Sequence, residues 1–431
     1  MRVAAKRRTL AAAAIAVWML AAAGTAPGRA ASLQLKYVVI VSRHGVRAPT
    51  WTVERLNQYS AEPWPDFGVP PGYLTAHGRT LMTRMGAYYR EWFTGAGMLR
   101  RQGCADAGHV HVWADTDQRT VETGRALAET LLPGCGLLVH ALKEGETDPL
   151  FDPITAGLAK PDMDAAARAV RDRLGPQPQQ LVDTHRAAFE ELQRVMGGGG
   201  NATHKLLDAP PVSVTVGGKT VELSGPFSTA STLGENLLLE YTNGFQGQAL
   251  GWGRLDAAAL YRVLELHATY ADLMRRTPYL ARARGSNLLA HVLESMEQAA
   301  TGKTVQGALG SPGDAALILS GHDTNLSNVS GMLGLSWSVP GYQVDDTPPG
   351  GALIFSLWKD SDAGQYFVRT EYTVQTLDQM RNATLLTMAA PPAHVNVAIP
   401  GCETAAQGVG CSWPVFKRVL RAAIDPRFTV K

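Results

Sequence analysis

The stretch that decides the fold is residues 37–50, which have the sequence YVVIVSRHGVRAPT. Residues 37–41 are aromatic or β-branched and do not alternate with polar residues. This pattern is typical of a strand buried on both faces in a parallel sheet. Pro49 prevents the strand from continuing. Because ligands of open α/β sheets bind beyond the carboxyl ends of the strands, we expect a functional site directly after residue 41.

Two arginines and a histidine follow this strand within five positions. Arg43 and Arg47 carry planar groups of donors that suit phosphate or carboxylate. His44 lies between them, and the neighbouring positive charge disfavours its imidazolium form, so the ring is expected to be neutral and nucleophilic. The alternative is a basic loop with a surface histidine, which is the commoner case for an isolated Arg-His pair.

Two further loops are predicted to meet the first one. Residues 109–113 form a predicted strand that is followed by an Asp- and Arg-containing loop at 115–119. Residues 315–319 form a second apolar strand, which ends in the loop SGHDTN at 320–325. Since parallel strands bring their carboxyl ends to one edge of the sheet, we expect the three loops to converge there.

Length and composition bound the class of protein. The chain has 431 residues, of which 45% are hydrophobic and 18% charged, as in an ordinary globular protein of about two domains. Residues 1–30 have a basic start, an alanine-rich apolar centre and small residues before a cleavage point after Ala30, which indicates a secretory signal peptide. Its removal takes away five basic residues and no acidic one, so the formal charge of +2 becomes −3. The sequence therefore predicts no nucleic-acid-binding surface, and no later stretch is apolar enough to span a membrane.

The order of predicted elements indicates an α/β fold. Strands and helices alternate over residues 31–153 and again over 291–431, which predicts a mostly parallel central sheet flanked by helices. Residues 154–290 are mainly helical in pattern and include a hairpin around Gly217-Gly218. We interpret this stretch as a second, mainly helical domain inserted into the first.

The motif R-H-G-x-R-x-P after a hydrophobic strand resembles the signature of the histidine acid phosphatases, and the resemblance extends over nearly the whole chain after the signal peptide. It implies that His44 attacks phosphorus to form a phosphohistidine. It implies that Asp323 protonates the leaving oxygen as general acid. The implied phosphate-binding groups are Arg43, Arg47, Arg119 and His322. No metal or other cofactor is implied, because guanidinium groups supply the positive charge.

The resemblance also bears on the substrate. Its nearest forms are the bacterial periplasmic phytases and glucose-1-phosphatases. Positions that match the substrate cleft of these enzymes are Thr50, Trp51, Asp115, Glu235 and Thr324. Gly45-Val46 and Thr324 favour the phytases, because the glucose-1-phosphatases have Asn-Leu and Ser there. Trp51 points the other way, since phytases of this type carry a lysine at that position.

Four cysteines remain after the signal peptide, namely Cys104, Cys135, Cys402 and Cys411. An even number in an exported chain indicates disulfides, for which three pairings are possible. A zinc site is the alternative, but no pair has the two-residue spacing that such sites favour. Sequence order and the family resemblance favour the pairs Cys104–Cys135 and Cys402–Cys411.

The sequence therefore predicts a periplasmic or secreted, monomeric acid phosphatase that acts on small phosphate monoesters, with phytate as the leading substrate. A glucose-1-phosphatase or a broad-specificity acid phosphatase is the alternative within the same class. A non-catalytic periplasmic anion-binding protein is the alternative from another class, although anion binding needs neither the His44 nucleophile nor the Asp323 acid. A cytoplasmic mutase-like enzyme is opposed by the signal peptide and by Pro49.

Overall fold

The computed structural model describes residues 33–197, 205–402 and 410–430, so the predicted signal peptide lies outside the described residues. The strands are β1 Leu33–Arg43, β2 Val110–Ala114, β3 Val139–His140, β4 Ser213–Gly217, β5 Thr220–Ser224, β6 Ala316–Gly321, β7 Ala352–Asp360, β8 Tyr366–Val374, β9 Ala393–Asn396 and β10 Cys411–Ser412. The α-helices are α1 Val53–Leu56, α2 Ala76–Gly95, α3 Gln118–Leu131, α4 Met163–Leu174, α5 Gln179–Thr184, α6 Arg186–Val195, α7 Pro226–Thr242, α8 Ala257–Arg275, α9 Pro278–Thr301, α10 Asp323–Leu333, α11 Leu377–Arg381 and α12 Trp413–Ala423.

The central sheet is eight-stranded, with the order β10-β8-β7-β1-β6-β2-β3 and with β9 beside β8. The strands β1, β6, β2 and β3 pair in parallel. β7 is antiparallel to both β1 and β8, so β8 again runs in the direction of β1. Five strands of this described sheet therefore share one direction, and the predicted α/β fold with a mostly parallel central sheet is confirmed. The antiparallel pairings join β7 to β1 and the strands β7 to β10 to one another.

β1 is buried on both faces, as its unbroken apolar sequence predicts. Val39 and Val41 pack into a core that includes side chains of α9 and α10. Val38 and Ile40 point the other way, into a core that includes side chains of α2 and α3. All four side chains are fully buried. The helices thus cover both faces of the sheet, which is why β1 needs no polar alternation.

A further apolar core lies among the helices α4 to α8 and the β4–β5 hairpin. This part of the chain contains the predicted helical domain of residues 154–290. The predicted boundary at 290/291 falls within α9, and the division into two domains stays a prediction. In the described ranges, no helix has the length and apolar character needed to cross a bilayer.

Two disulfides close loops of very different length. Cys104 pairs with Cys135 across 31 residues, between the loop after α2 and the loop after α3. Cys402 pairs with Cys411 across 9 residues, next to β10. The predicted pairing is therefore the one found in the structure.

The register of the parallel strands determines where the site forms. In the β1–β6 pair, Arg43 lies opposite Gly321, and in the β2–β6 pair, Ala114 lies opposite Ser320. The three strands therefore end at the same level. Beyond them, the His44 amide donates to the Gly321 carbonyl at 2.9 Å and the Asp115 amide donates to the Ser320 carbonyl at 3.0 Å. The predicted convergence of the three loops is confirmed.

Candidate active site

Backbone hydrogen bonds hold the loop after β1 on both sides of His44. Besides the bond from its amide to Gly321, its carbonyl accepts the Gly350 N–H at 2.9 Å. The next amide, that of Gly45, donates to Thr123 Oγ1 on α3 at 2.9 Å. The loop is thereby fixed to β6, to the segment before β7 and to α3, so the histidine occupies one defined position.

The His44 ring is buried and has one defined tautomer. Nδ1 lies 2.8 Å from the Gly45 carbonyl oxygen, which can only accept a hydrogen bond, so Nδ1 carries the hydrogen. Nε2 is then left with its lone pair. Burial holds the pKa of His44 well below its ordinary value, and the nearby Arg43, Arg119 and Arg47 lower it further. The ring is therefore neutral and can act as a nucleophile in acid solution.

Glu235 binds the two arginines of the signature loop together. Its Oε1 accepts a hydrogen bond from Arg43 Nη2, and its Oε2 lies 3.2 Å from Arg47 Nη2. Burial raises the pKa of Glu235, but Arg47 and Arg43 outweigh burial and bring this pKa to about 2. Glu235 comes from α7, so a charge from the helical part of the chain sets the position of two arginines on the sheet. Arg43 is further held by the Thr347 carbonyl at 2.6 Å from Nη1.

Asp323 is the first residue of α10, and its carboxylate is ion-paired. Oδ2 lies 2.5 Å from Arg275 Nη1 and 4.0 Å from Arg43 Nη1. Burial alone would raise the pKa of Asp323, but Arg275 and Arg43 hold it well below its ordinary value. Arg275, the last residue of α8, is absent from the sequence prediction. The only sequence feature that marks Arg275 is the pair Arg275-Arg276 shortly before Pro278, the first residue of α9. This feature does not indicate which way the Arg275 side chain points.

The loop after β2 surrounds His322. Nε2 of His322 lies 2.7 Å from Asp115 Oδ2, and its Nδ1 lies 3.5 Å from Arg119 Nη2. Asp117, which the prediction also left out, accepts from Arg119 Nη2 at 2.5 Å. The rings of His44 and His322 are 5.6 Å apart between centroids. Three predicted residues of two separate loops are thus brought against the candidate nucleophile.

The same carboxylates raise the question of a metal. Ligand atoms of Asp115, Asp117 and His322 lie within 4.8 Å of one another. However, the Arg119 guanidinium already pairs with Asp117, so a cation is present where a metal ion would have to bind. A positively charged neighbour of this kind favours an anion beside it over a second cation.

A cavity of about 450 Å³ opens in front of these groups. The predicted residues that line it are His44, Arg47, Asp115, Arg119, His322, Asp323 and Thr324. Arg43 and Glu235 lie behind this lining, buried beneath Arg47. Residues that the prediction missed also line it, namely Lys219 and Thr220 at the tip of the β4–β5 hairpin and Arg284 on α9. The hairpin was predicted, but its contact with the cavity depends on the packing of distant segments.

Two predicted cleft residues lie beside the cavity. Thr50 is exposed, and both its Cγ2 and Arg119 Nη1 approach the backbone of Gly72. Trp51 is covered by Arg55, whose guanidinium carbon lies 3.6 Å from the ring centroid, and it packs against the core of the helical region. The indole at position 51 thus acts in packing in this structure, and the basic groups of the cleft come from other segments.

Comparisons with known proteins find similarity over most of the chain. The chain matches the family described as the histidine phosphatase superfamily (branch 2) over residues 34–198 and 232–373. It is 35% identical over 407 residues to Phytase AppA of Escherichia coli K12, covering 91% of this chain and 93% of that protein. It is 28% identical over 404 residues to a glucose-1-phosphatase of Providencia rettgeri, covering 92% and 93%. The solved structure of Hafnia alvei phytase in complex with tartrate superposes with a TM-score of 0.86 at 35% identity, covering 94% of this chain and all of that one.

Proposed function

Because the chain belongs to branch 2 of the histidine phosphatase superfamily, we propose that it hydrolyses phosphate monoesters through a phosphohistidine at His44, with phytate as its substrate. The enzyme class, a phosphatase of this superfamily, follows from the family. The observation that carries the mechanism is the neutral, buried His44 ring, whose Nε2 is free and lies among arginines.

The arginines supply donors for an oxyanion. Among the described residues, the buried Nε–H groups of Arg43, Arg47 and Arg119 have no hydrogen-bond acceptor. Buried donors without a partner are costly, and a phosphoryl group beside His44 would offer oxygen atoms to those of Arg47 and Arg119, which line the cavity. His322, held by Asp115, completes the set that would stabilise charge on the phosphoryl oxygens in the transition state.

The reaction then takes two steps. His44 Nε2 forms a bond to phosphorus while the bond from phosphorus to the ester oxygen breaks, and Asp323 gives its proton to that oxygen. In the second step, water attacks the phosphohistidine, Asp323 takes a proton from this water, and phosphate leaves. Glu235 positions Arg43 and Arg47 and takes no part in proton transfer, since its two oxygens are occupied by their guanidinium groups.

Two basic residues in the lining of the cavity support a substrate with several phosphates. Lys219 and Arg284 add two positive charges to the cavity beyond the groups around the histidine. Lys219 Nζ has a long contact of 3.4 Å with the Thr155 carbonyl, so it is available to a ligand. A glucose-1-phosphatase or a broad-specificity phosphatase is the second candidate, favoured by Trp51 at the position where related phytases have lysine.

The substrate is tested by comparing kcat/KM for phytate, glucose 1-phosphate and 4-nitrophenyl phosphate between pH 3 and pH 7. We expect phytate to be preferred. Lys219→Met should lower kcat/KM for phytate about tenfold, the effect of about 1.4 kcal/mol, and leave glucose 1-phosphate unchanged. Lys303→Met, which removes an exposed lysine in the loop after α9, is the matched control. A higher kcat/KM for glucose 1-phosphate in the wild type would favour the second candidate.

The acid is tested with Asp323→Asn. Its activity on an alkyl phosphate should fall by two to four orders of magnitude, the usual contribution of general acid catalysis, because the alkoxide is then a poor leaving group. The loss on 4-nitrophenyl phosphate should be much smaller, since nitrophenolate leaves without a proton. Equal losses on both substrates would contradict the role of Asp323. Binding of phosphate without turnover of any ester would favour an anion-binding protein, and inhibition by a chelator would reveal a metal.

Export and a monomeric state are part of the same proposal. Residues 1–30 have the pattern of a signal peptide, and periplasmic or secreted localisation follows from its cleavage. Amino-terminal sequencing of the exported protein should begin at Ala31, and light scattering should give the mass of one chain. A retained amino terminus would contradict cleavage of the signal peptide, and the mass of a dimer would contradict the monomeric state.

A further inference from the structure

Asp323 is held in the charge state that the first step of the proposed reaction cannot use. A general acid must carry a proton, yet Asp323 Oδ2 is 2.5 Å from the Arg275 guanidinium and 4.0 Å from that of Arg43. Its other oxygen, Oδ1, accepts the Thr324 backbone N–H at 2.9 Å. Each of these contacts stabilises the carboxylate relative to the acid. A step of the reaction must therefore weaken these contacts, so that the Asp323 carboxylate can take up a proton.

The two arginines differ in how firmly they are held. Arg43 is fully buried, donates to the Thr347 carbonyl and is bound by Glu235 on its other nitrogen. Arg275 is the terminal residue of α8, and its side chain keeps 14% of its exposure. It meets Asp323 where α8 packs against α10. Arg275 is consequently the partner that can leave Asp323 without disturbing the signature loop.

We propose that Arg275 is a positioning residue that holds Asp323 as a carboxylate in the free enzyme and releases it when a substrate phosphate binds. The inference rests on the proposed phosphatase function. A phosphate beside His44 adds negative charge next to Asp323 and offers Arg275 other oxygen atoms. Asp323 then takes up one proton from solution, gives it to the leaving oxygen as the phosphorus–oxygen bond breaks, and returns to Arg275 as a carboxylate. The enzyme thus has its acid protonated only while substrate is bound.

Other charged or titratable groups also face Asp323 and remain in place in the test. They are His267 on α8, Arg43 on β1, Arg47 after β1, Glu235 on α7, His322 before α10 and Arg284 on α9. These groups are common to the wild type and to every Arg275 variant. A difference between them therefore reports the Arg275 contact itself.

The first test compares pH profiles of wild type and Arg275→Gln on glycerol phosphate, whose leaving group needs the acid. The basic limb of kcat/KM reports the free enzyme, and that of kcat reports the complex. The substitution removes the positive charge that lies 2.5 Å from Asp323. It should therefore move the basic limb of kcat/KM to higher pH by about 1 to 3 units. The kcat limb should move less, because Arg275 has already left Asp323 in the complex.

Three controls separate this effect from general damage. Arg275→Lys keeps the charge and should restore most of the wild-type profile. Arg262→Gln removes an arginine of α8 that pairs with Glu191 at 3.4 Å, and it should leave both limbs unchanged. Retained turnover of 4-nitrophenyl phosphate by Arg275→Gln would show that the phosphoryl site is intact. An unmoved kcat/KM limb, or equal movement of both limbs, would overturn the inference while leaving the phosphatase function standing.

A second test uses the wild type and does not depend on the folding of an Arg275 variant. Myo-inositol hexasulfate has sulfate groups that do not titrate, so calorimetry of its binding in buffers of different ionisation enthalpy counts the protons taken up by the protein. At pH 5 we expect an uptake approaching one proton, and Asp323→Asn should abolish most of it. Uptake that is absent in the wild type, or equal in the two proteins, would overturn the inference.

Discussion

The stability of the protein is expected to depend on pH through Glu240. This residue of α7 is fully buried, and its Oε2 accepts the Gly251 N–H at 2.8 Å. Its Oε1 has no partner among the described residues. Burial raises the pKa of Glu240 from 4.5 to about 8, against the opposing effect of the Gly251 N–H. The folded protein therefore keeps this carboxyl protonated under conditions in which the unfolded chain releases the proton.

The sign and size of the effect follow from this shift. Because the folded pKa lies above the unfolded one, the stabilisation is fully present below pH 4.5 and is lost as the pH rises towards 8. Between pH 5 and pH 7 the unfolded chain has lost nearly the whole proton and the folded chain has kept it. One pKa unit corresponds to about 1.4 kcal/mol, so this group lowers the free energy of unfolding by about 2.5 kcal/mol over that interval.

The assay is urea unfolding of wild type and Glu240→Gln at pH 5 and pH 7. Since Gln does not titrate, the variant does not lose this stabilisation as the pH rises. Relative to the wild type, its free energy of unfolding should therefore increase by about 2.5 kcal/mol between pH 5 and pH 7. Glu144→Gln, at an exposed position, should follow the wild type at both pH values. A difference between wild type and Glu240→Gln that is the same at both pH values would show that the Glu240 carboxyl does not cause the pH dependence.

Two predictions concern the frame of the site. Gly78→Ala should cost about 2 to 3 kcal/mol and most activity, because its Cβ would lie 2.1 Å from the Val46 carbonyl oxygen of the signature loop. In Gly95→Ala on the same helix, the added Cβ meets nothing within 4 Å, so this variant should be neutral or slightly stabilised. Urea unfolding and activity assays compare the two variants, and equal losses in both would contradict a steric clash at Gly78. Replacing Cys104 and Cys135 by Ser should cost about 3 to 4 kcal/mol on loop-entropy grounds for 31 residues, measured by urea unfolding, and an unchanged midpoint would contradict it.

Local pattern was enough to predict the part of the fold that carries the chemistry. The apolar runs that became β1 and β6 are buried on both faces, and such strands occur in parallel sheets, whose carboxyl ends share an edge. This rule alone predicts that His44, Arg119 and Asp323 lie together. The pattern does not identify the neighbours of each strand, so the sequence does not predict the antiparallel pairing of β7 with β1.

The residues that escaped prediction reach the site through packing over long distances. Arg275 is one of 40 basic residues, and only the way α8 lies on α10 turns it towards Asp323. Lys219 is at the tip of a hairpin whose own sequence specifies a turn and nothing about what the turn faces. Glu235 was predicted from family resemblance as a cleft residue, whereas the structure places it behind the cavity, between two guanidinium groups. The local sequence specifies helices, strands and turns. Contacts between distant parts of the chain determine what Arg275, Lys219 and Glu235 do at the site.

In the proposed mechanism, His44 carries the phosphoryl group. Mixing the enzyme with substrate, quenching in alkali within milliseconds and analysing the peptides by mass spectrometry tests it directly, because phosphohistidine survives in alkali. We predict phosphate on the peptide with His44, bound at Nε2 because Nδ1 donates to the Gly45 carbonyl. His44→Ala should give no phosphopeptide and no turnover. Phosphate on another residue such as His322, or turnover by His44→Ala, would contradict a phosphohistidine at His44.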